Sequence, residues 1–83
     1  MEKSQILEVI VKHLKQNVDG LESVQIDPQA SMADYDASSL DIVEVVSASM
    51  RELQLRIPRT RLAELNNIQD LVDLFHQAKN EEA

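Results

Sequence analysis

The sequence has 83 residues, of which 43% are hydrophobic and 28% charged, with a formal net charge of −7 at pH 7 and no cysteine. This length bounds one small domain with a thin core, and the lack of cysteine excludes a disulfide framework, a thiolate zinc site and a cysteine nucleophile. Fifteen acids against eight lysines and arginines disfavour nucleic acid as a partner, because non-specific affinity for phosphates depends on basic side chains.

The composition also indicates a fold class and a location. One glycine and two prolines leave few sharp turns, and with only 2% aromatic residues the core must be aliphatic, so helices are the natural outcome. No charged start followed by an apolar run and a cleavage site occurs at the N-terminus. No stretch approaches the roughly 18 consecutive apolar residues of a membrane span. We therefore expect a cytoplasmic, all-α protein without a membrane partner.

The first predicted element is an amphipathic helix. Apolar residues recur every three to four positions between Ile6 and Val18, with charged residues between them. This spacing predicts a helix over about residues 4–16, with Ser4 as its N-cap and Gly20 in the turn that ends it.

The segment that follows, residues 17–37, is longer than an ordinary loop. Its apolar residues are spaced to reach into a core, and the pair Asp27-Pro28 favours a turn. We predict a loop held against the core, with a short helical turn near residues 21–24. The apolar residues are Leu21, Val24, Ile26 and Met32.

The most regular apolar pattern begins at residue 40 and has a period near 3.6. It consists of Leu40, Val43, Val46, Met50 and Leu53. This pattern predicts a second helix of about 15 residues, ended before Pro58, with the stripe facing the core. Ile42 and Val45 lie off the stripe and are expected to be partly exposed.

The start of the second helix has capping signals. Ser38 fits the N-cap position, and Asp41, three residues on, fits the reciprocal acid of a capping box. Ser39 is then the first helical residue, exposed beside the positive end of the helix dipole, where a phosphate ester is favourable.

A short third helix is predicted over residues 59–65. Thr60 is a candidate cap, and Leu62 and Leu65 would face inward.

Asn67 and Asp70 mark the start of a last helix of about ten residues, and residues 80–83 are expected to fray. The predicted fold is a small antiparallel four-helix bundle with a short third helix and a long first loop. We expect residues 1–83 to form one domain, ordered over about 4–79.

On spacing alone, Ser39 is simply a residue at a helix start. However, Ser38-Ser39-Leu40-Asp41 resembles the Asp-Ser-Leu-Asp attachment motif of the acyl carrier protein family, and the resemblance covers nearly the whole chain. The other matching segments, in order, are Ala30-Ser31-Met32, Val43-Glu44-Val45-Val46, Ile57-Pro58 and Ile68-Gln69-Asp70-Leu71.

The resemblance implies a carrier without catalytic residues. A phosphopantetheinyl transferase would attach the 4'-phosphopantetheine arm of coenzyme A to Ser39, and acyl groups would be carried as thioesters on the terminal thiol of the arm. The apolar part of the acyl chain would shelter between the second, third and fourth helices.

Two departures from the family pattern occur near the serine. Ser38 replaces the usual acid, and the loop from Ala30 to Ser39 is one residue shorter and lacks a glycine. Transferase recognition is therefore expected to be weaker or more selective. Ser38 is an alternative attachment point, but its capping position and the Leu40 that follows Ser39 favour Ser39.

The resemblance also implies a partner-binding surface. Asp41 and Glu44 match positions that face basic patches on partner enzymes, and Val43 or Val45 would add apolar contact. Without the resemblance, these acids would be assigned to a solvated helix face.

Further along, this chain has Met50, Arg51 and Arg56 where fatty-acid carriers usually continue with acids. We therefore predict a monomeric carrier with a restricted set of partners, with Arg51 as a further contact. A polyketide pathway is favoured over a fatty-acid one, and the partners would include an acyltransferase or ketosynthase. The alternatives are a peptidyl or aminoacyl carrier and an unmodified helical adaptor.

Other chemistry is not supported by the sequence. Asp34, Asp36 and Ser38 are spaced like the first ligands of an EF-hand, but the diagnostic Gly and Glu positions are Ser39 and Val45, so no metal site is predicted.

The two histidines, His13 and His76, lie in predicted helices, and no nucleophile elbow occurs. A serine hydrolase is therefore excluded, and both histidines are expected at the surface.

Overall fold

A computed structural model describes residues 1–62 and 65–81, with Arg59 described by its backbone alone. The α-helices are α1 (Lys3–Asn17), α2 (Ser39–Leu53), α3 (Arg59–Leu62) and α4 (Ile68–Glu81), and a 3₁₀ turn spans Met32–Tyr35. No strand occurs within these residues. The predicted all-α bundle with a short third helix and a long first loop is confirmed.

The core is built around α1, which packs against α2 and against α4. One face of α1 is completely buried, and Phe75 of α4 is completely buried as well. The fully buried residues of α1 are Ile6, Ile10 and Leu14. The apolar period of the first segment therefore predicted the inward face of this helix correctly.

The start of α1 differs from the prediction. The backbone N–H of Glu2 donates to the side-chain oxygen of Gln5 at 2.9 Å, and the helix begins at Lys3. Ser4 is therefore inside the helix, and its prediction as the N-cap is wrong. The end is as expected, because Gly20 has a φ of 90°, which favours glycine.

The long first loop is held against the core, as predicted. Leu21, Ile26 and Met32 are buried, and Val24 is half-buried. The turn predicted near residues 21–24 is present, since the N–H of Val24 donates to the carbonyl of Leu21 at 3.0 Å.

Hydrogen bonds tie this loop to itself and to α4. The hydroxyl of Tyr35, within the 3₁₀ turn, accepts the N–H of Asp27 at 2.7 Å. The carbonyls of Pro28 and Ala30 accept the first N–H groups of α4, at 2.8 Å from Gln69 and 3.0 Å from Ile68. The loop thereby satisfies donors that a helix N-terminus leaves free.

The length of α2 was predicted correctly, but its buried face was predicted only in part. Val45 and Ser49 are completely buried and Leu53 is 3% exposed, whereas Leu40 is 71% and Val43 53% exposed. Both stripes have a helical period. The helix buries the stripe that contains Val45 and Ser49, and the predicted stripe is fully buried only at Leu53.

The two later helices begin close to their predicted starts. The carbonyl of Pro58 accepts the N–H of Arg61 at 3.1 Å, so Thr60 lies inside α3 and is not its cap. Leu62 and Leu65 are half-buried, as an inward orientation requires. The rest of the predicted third helix, residues 63–64, lies outside the described residues.

In α4, the side-chain oxygen of Asn67 accepts the N–H of Asp70 at 2.8 Å, which confirms Asn67 as the start signal. The helix is 14 residues long and so exceeds the predicted ten. Asn80 and Glu81, which were expected to fray, are helical. The other two residues of that prediction, 82–83, lie outside the described part of the chain.

Candidate functional site

The site predicted from the sequence is the N-terminus of α2. The hydroxyl of Ser38 accepts the N–H of Asp41 at 3.1 Å, and the carboxylate of Asp41 accepts the N–H of Ser38 at 3.0 Å. This reciprocal pair is the predicted capping box. Ser38 therefore uses both its hydroxyl and its backbone donor to begin the helix.

Ser39 is the first residue of α2, and its side chain is exposed. Its hydroxyl makes no hydrogen bond within the described part of the chain. It stands beside the free N–H groups of the first helical turn, whose partial positive charge favours a phosphate ester. The position thus fits a covalently attached phosphate group both sterically and electrostatically.

The loop before Ser38 contains an unusual backbone conformation. Asp36 has a φ of 65°, in the left-handed region, and its N–H donates to the carbonyl of Ala33 at 3.1 Å. Aspartate tolerates this region better than most residues do. Asp36 therefore makes the turn in the loop where the family resemblance led us to expect a glycine, and Ser38 still reaches its capping position.

The other predicted surface residues do not all share one environment. Glu44 and Arg51 are exposed, and Val43 is 53% exposed. Asp41 is half-buried and engaged in the cap. Val45 is completely buried, so its predicted partial exposure is wrong and it offers no surface to a partner. Its place on α2 points it into the core together with Ser49.

A groove of about 550 Å³ opens between α2, α3 and α4 and is mainly apolar. Val43, Val46 and Met50, which the sequence pattern assigned to the core, lie on its wall. The residues that complete its apolar lining are Met32, Ala33, Ile42, Ile57, Leu62, Leu65, Ile68 and Leu71. The groove lies where the family resemblance places the acyl chain.

The opposite end of α2 is tied to the two neighbouring helices. The carboxylate of Glu52 accepts from the side chains of Lys12 at 2.6 Å and His13 at 2.9 Å. The ammonium of Lys79 donates to the carbonyl of Leu53 at 2.9 Å. No local sequence signal pointed to these contacts, since their partners are far apart in the chain.

These contacts affect titration and correct one prediction. Hydrogen bonds from Lys12, and then from His13, lower the pKa of Glu52 below its ordinary value. On α4, the hydrogen bond from Lys3 lowers the pKa of Asp73. The side chain of His13 is only 14% exposed, so its predicted place at the surface is correct only in part.

His76 is half-buried and lies near Asn80. Its predicted place at the surface is therefore correct only in part.

The described residues hold neither a candidate metal site nor a candidate membrane span. No group of three or more His, Cys, Asp or Glu side chains is placed to hold a metal ion there. None of the helices that the structure describes has the length and apolarity needed to cross a membrane.

Comparison with known proteins identifies the class to which this site belongs. The family described as phosphopantetheine attachment site matches residues 5–75, which is most of the chain. The chain therefore belongs to the phosphopantetheine-binding acyl carrier protein family. Its cofactor is phosphopantetheine, and it is a carrier without enzymatic activity of its own.

Particular relatives include carriers from three organisms. The chain is 38% identical over 80 residues to the acyl carrier protein of Cyanidioschyzon merolae (strain NIES-3377 / 10D), covering 95% of this chain and 87% of that protein. It is 34% identical to the acyl carrier protein of Thermosynechococcus vestitus (strain NIES-2133 / IAM M-273 / BP-1), covering 92% and 94%. It is 26% identical to the polyketide biosynthesis acyl-carrier-protein AcpK of Bacillus subtilis (strain 168), covering 92% and 93%.

A similar solved structure is the crystal structure of the curacin biosynthetic pathway HMG synthase in complex with acetyl donor-ACP. The match has a TM-score of 0.83 at 35% identity and covers 90% of this chain and 96% of that one. The fold described above is therefore that of a carrier protein.

Proposed function

We propose that Ser39 is the residue to which phosphopantetheine is attached. The observation that carries this proposal is the difference between the two adjacent serines. Ser38 is occupied by the capping box, whereas the hydroxyl of Ser39 is exposed and free of any partner in the described residues. The Ser39 hydroxyl would form a phosphoester with the arm, and the nucleotide part of coenzyme A would leave.

The test is the intact mass of the protein after incubation with coenzyme A and a broad-specificity phosphopantetheinyl transferase. We expect a gain of one phosphopantetheine for the natural sequence and for Ser38→Ala, and none for Ser39→Ala. Ser38→Ala is the matched control, because it removes a hydroxyl one residue away. Gain in Ser39→Ala together with loss in Ser38→Ala would place the attachment on Ser38 and overturn the proposal.

The outward side of α2 next to Ser39 is the proposed partner-binding surface. Glu44 is exposed one helical turn beyond Leu40, and Val43 adds apolar area beside it. Asp41 contributes charge from within the cap, and Arg51 extends the surface towards the far end of the helix. Because electrostatic complementarity steers association, a partner is expected to present basic groups opposite the two acids.

Charge reversal at one acid tests this surface. Glu44→Lys should slow transfer of phosphopantetheine and of acyl groups more than Glu81→Lys, which changes the net charge equally at an exposed site on α4. The measurement is kcat/KM of the transferase, obtained from its initial rates over a range of carrier concentrations. Equal losses for the two variants would mean that net charge, and not this surface, governs recognition.

We further propose that the carrier serves polyketide biosynthesis, as a cytoplasmic monomer. Support comes from the similarity to the polyketide carrier AcpK and to an acetyl donor carrier bound to a synthase. Partners would then be a phosphopantetheinyl transferase, an acyltransferase or ketosynthase, and a synthase of the kind seen with that donor carrier. Two of the similar proteins are named only as acyl carrier proteins, which keeps fatty-acid biosynthesis as the second candidate.

Acetyl transfer distinguishes the two pathways. The arm would be loaded with an acetyl group by using acetyl-coenzyme A in the transferase reaction. The acetylated carrier would then be offered to the curacin pathway HMG synthase and, separately, to a fatty-acid ketosynthase system. Faster loss of the acetyl group to the HMG synthase, followed by mass spectrometry, would support the polyketide assignment, and preference for fatty-acid elongation would reject it.

A further inference from the structure

The lysines and the arginines of this chain lie in different places. All four arginines fall within residues 51–61, whereas no lysine occurs between residues 16 and 78. The arginine-bearing segment comprises the end of α2, the following loop and α3. A segment rich in arginine is unexpected in a chain with fifteen acids.

Three of the four lysines have internal partners. Lys3 pairs with Asp73 at 2.9 Å, Lys12 with Glu52 at 2.6 Å, and Lys79 donates to the carbonyl of Leu53. These lysines connect helices to one another. Their cationic groups are therefore already used within the fold.

The arginines are used differently. Arg51, Arg56 and Arg61 are exposed, and neither Arg51 nor Arg56 forms an ion pair within the part of the chain that the structure describes. Glu52, the acid that adjoins Arg51 in the sequence, is turned towards Lys12 and His13. The guanidinium groups of Arg51 and Arg56 are thus left for contacts outside the chain.

Arg51 lies on the same side of α2 as the proposed partner-binding surface. Leu40, Glu44, Ser47 and Arg51 are spaced by four, three and four residues, so they share one side of the helix, and all are exposed. Glu44 and Arg51 are about 10 Å apart along the helix axis, at 1.5 Å per residue. The side that leads away from Ser39 therefore changes from acidic to basic over two helical turns.

We propose that Arg51, together with Arg56 just beyond the end of α2, forms an arginine face that docks an acidic surface of a partner enzyme. The guanidinium group suits this role, because its fork binds a carboxylate through two parallel hydrogen bonds and arginine is enriched in protein interfaces. A partner that contacts the whole side of α2 presents basic groups near Ser39 and acidic groups about 10 Å further along the helix. This polarity admits one orientation of the carrier and so restricts its partners.

The inference extends the partner surface given under the proposed function, and its test is independent of Ser39. Unmodified protein labelled with ¹⁵N is titrated at low ionic strength with a blocked hexaglutamate peptide. We expect amide shifts over residues 51–62 and none at residues 39–44. Arg51→Gln should raise the Kd for the peptide about two- to fivefold, the size expected for one exposed ion pair. Arg51→Lys should restore part of the affinity.

Lys15→Gln is the matched control, since it removes one positive charge from α1. An equal loss of affinity in Lys15→Gln, or no shift over residues 51–62, would overturn the arginine face. Tighter binding of tripolyphosphate than of the peptide at the same amides would also overturn it, in favour of a phosphate ligand. Self-association in sedimentation that Arg51→Gln abolishes would assign the surface to a second copy of this chain and reject the partner enzyme.

Phosphopantetheine incorporation is measured in parallel on the same samples. Incorporation with no peptide binding would remove the arginine face and leave the carrier function standing. Peptide binding with no incorporation would leave the arginine face standing and contradict the carrier function.

Discussion

The two sides of α2 both carry apolar residues but have different roles. The inner side carries Val45, Ser49 and Leu53 and is closed off from solvent, whereas Leu40 and Val43 on the outer side are more than half exposed. The inner side includes the only polar residue among the buried ones of the described chain, and the outer side includes two large exposed hydrophobics. Hydrophobicity alone therefore does not identify the core side of a helix that also borders a groove and a partner surface.

The largest effect on stability is expected from a charge placed on the inner side of α2, compared with a charge placed on its outer side. Val45→Asp would bury an unpaired carboxylate, which costs about 3–5 kcal/mol. A domain of this size has a total stability of only about 4–12 kcal/mol, so a large fraction of it would be lost. Val43→Asp, the matched control on the exposed side, should change stability by less than about 0.5 kcal/mol. Urea denaturation followed by circular dichroism measures both, and similar losses would contradict the assignment of the two sides.

A smaller effect of opposite sign is expected at Ser49. Its hydroxyl is completely buried and has no hydrogen-bond partner within the described structure. Ser49→Ala removes an unsatisfied polar group and improves helix propensity, so the free energy of unfolding should rise by about 1–2 kcal/mol.

Ser47→Ala, at an exposed position on the same helix, serves as the control for Ser49→Ala and gains only the propensity contribution. A fall in thermal stability of Ser49→Ala would mean that the hydroxyl has a partner in solution and that the inner side tolerates its polar residue without cost.

The start of α2 should show a comparable contrast between adjacent serines. Ser38→Ala removes the cap and should lower the free energy of unfolding by about 1 kcal/mol. Ser39→Ala should leave it almost unchanged, because its side chain is exposed and makes no described contact. Chemical denaturation of the two variants measures the difference, and equal stabilities would contradict the capping assignment.

The smallest effect concerns the charged contacts that hold the far end of α2. Hydrogen bonds from Lys12 and then His13 lower the pKa of Glu52 below its ordinary value of 4.5. The carboxylate therefore stabilises the fold above about pH 4.5, and this contribution disappears as the pH falls through the lowered pKa. Thermal melts of the natural sequence and Glu52→Gln should differ at pH 7 and converge in acid. A difference that persists below the lowered pKa would show that the side chain acts through packing and not through its charge.

Much of the fold and of the site could be predicted from local signals. The lengths of α1 and α2 came from apolar periodicity and from the proline that follows α2. Ser38 and Asn67 were recognised as helix starts because each bonds a backbone N–H only three residues away. The special position of Ser39 as an attachment site was given only by the family resemblance, since an exposed serine at a helix start is common.

The misses came from interactions that local reasoning does not include. Ser4 was chosen as a cap because serine favours that position, but the side chain of Gln5 reaches back to Glu2 and starts the helix earlier. Val45 was placed on the outside because it lies off the regular apolar stripe that begins at Leu40. His13 was expected at the surface because no local signal indicates its contact with Glu52, which lies 39 residues away in the sequence.

By itself, the sequence determined the order of the helices, the starts of α2 and α4, and the exposed serine that begins α2, because these depend on residues within one or two helical turns. The tertiary structure decided which side of α2 is buried, how the first loop is tied to α4, and that three of the four lysines join helices while Arg51 and Arg56 are exposed. These features depend on which distant segments meet after folding. In α2 two apolar stripes compete for the core, and only the packing of α1 against one of them leaves the other for the groove and the partner.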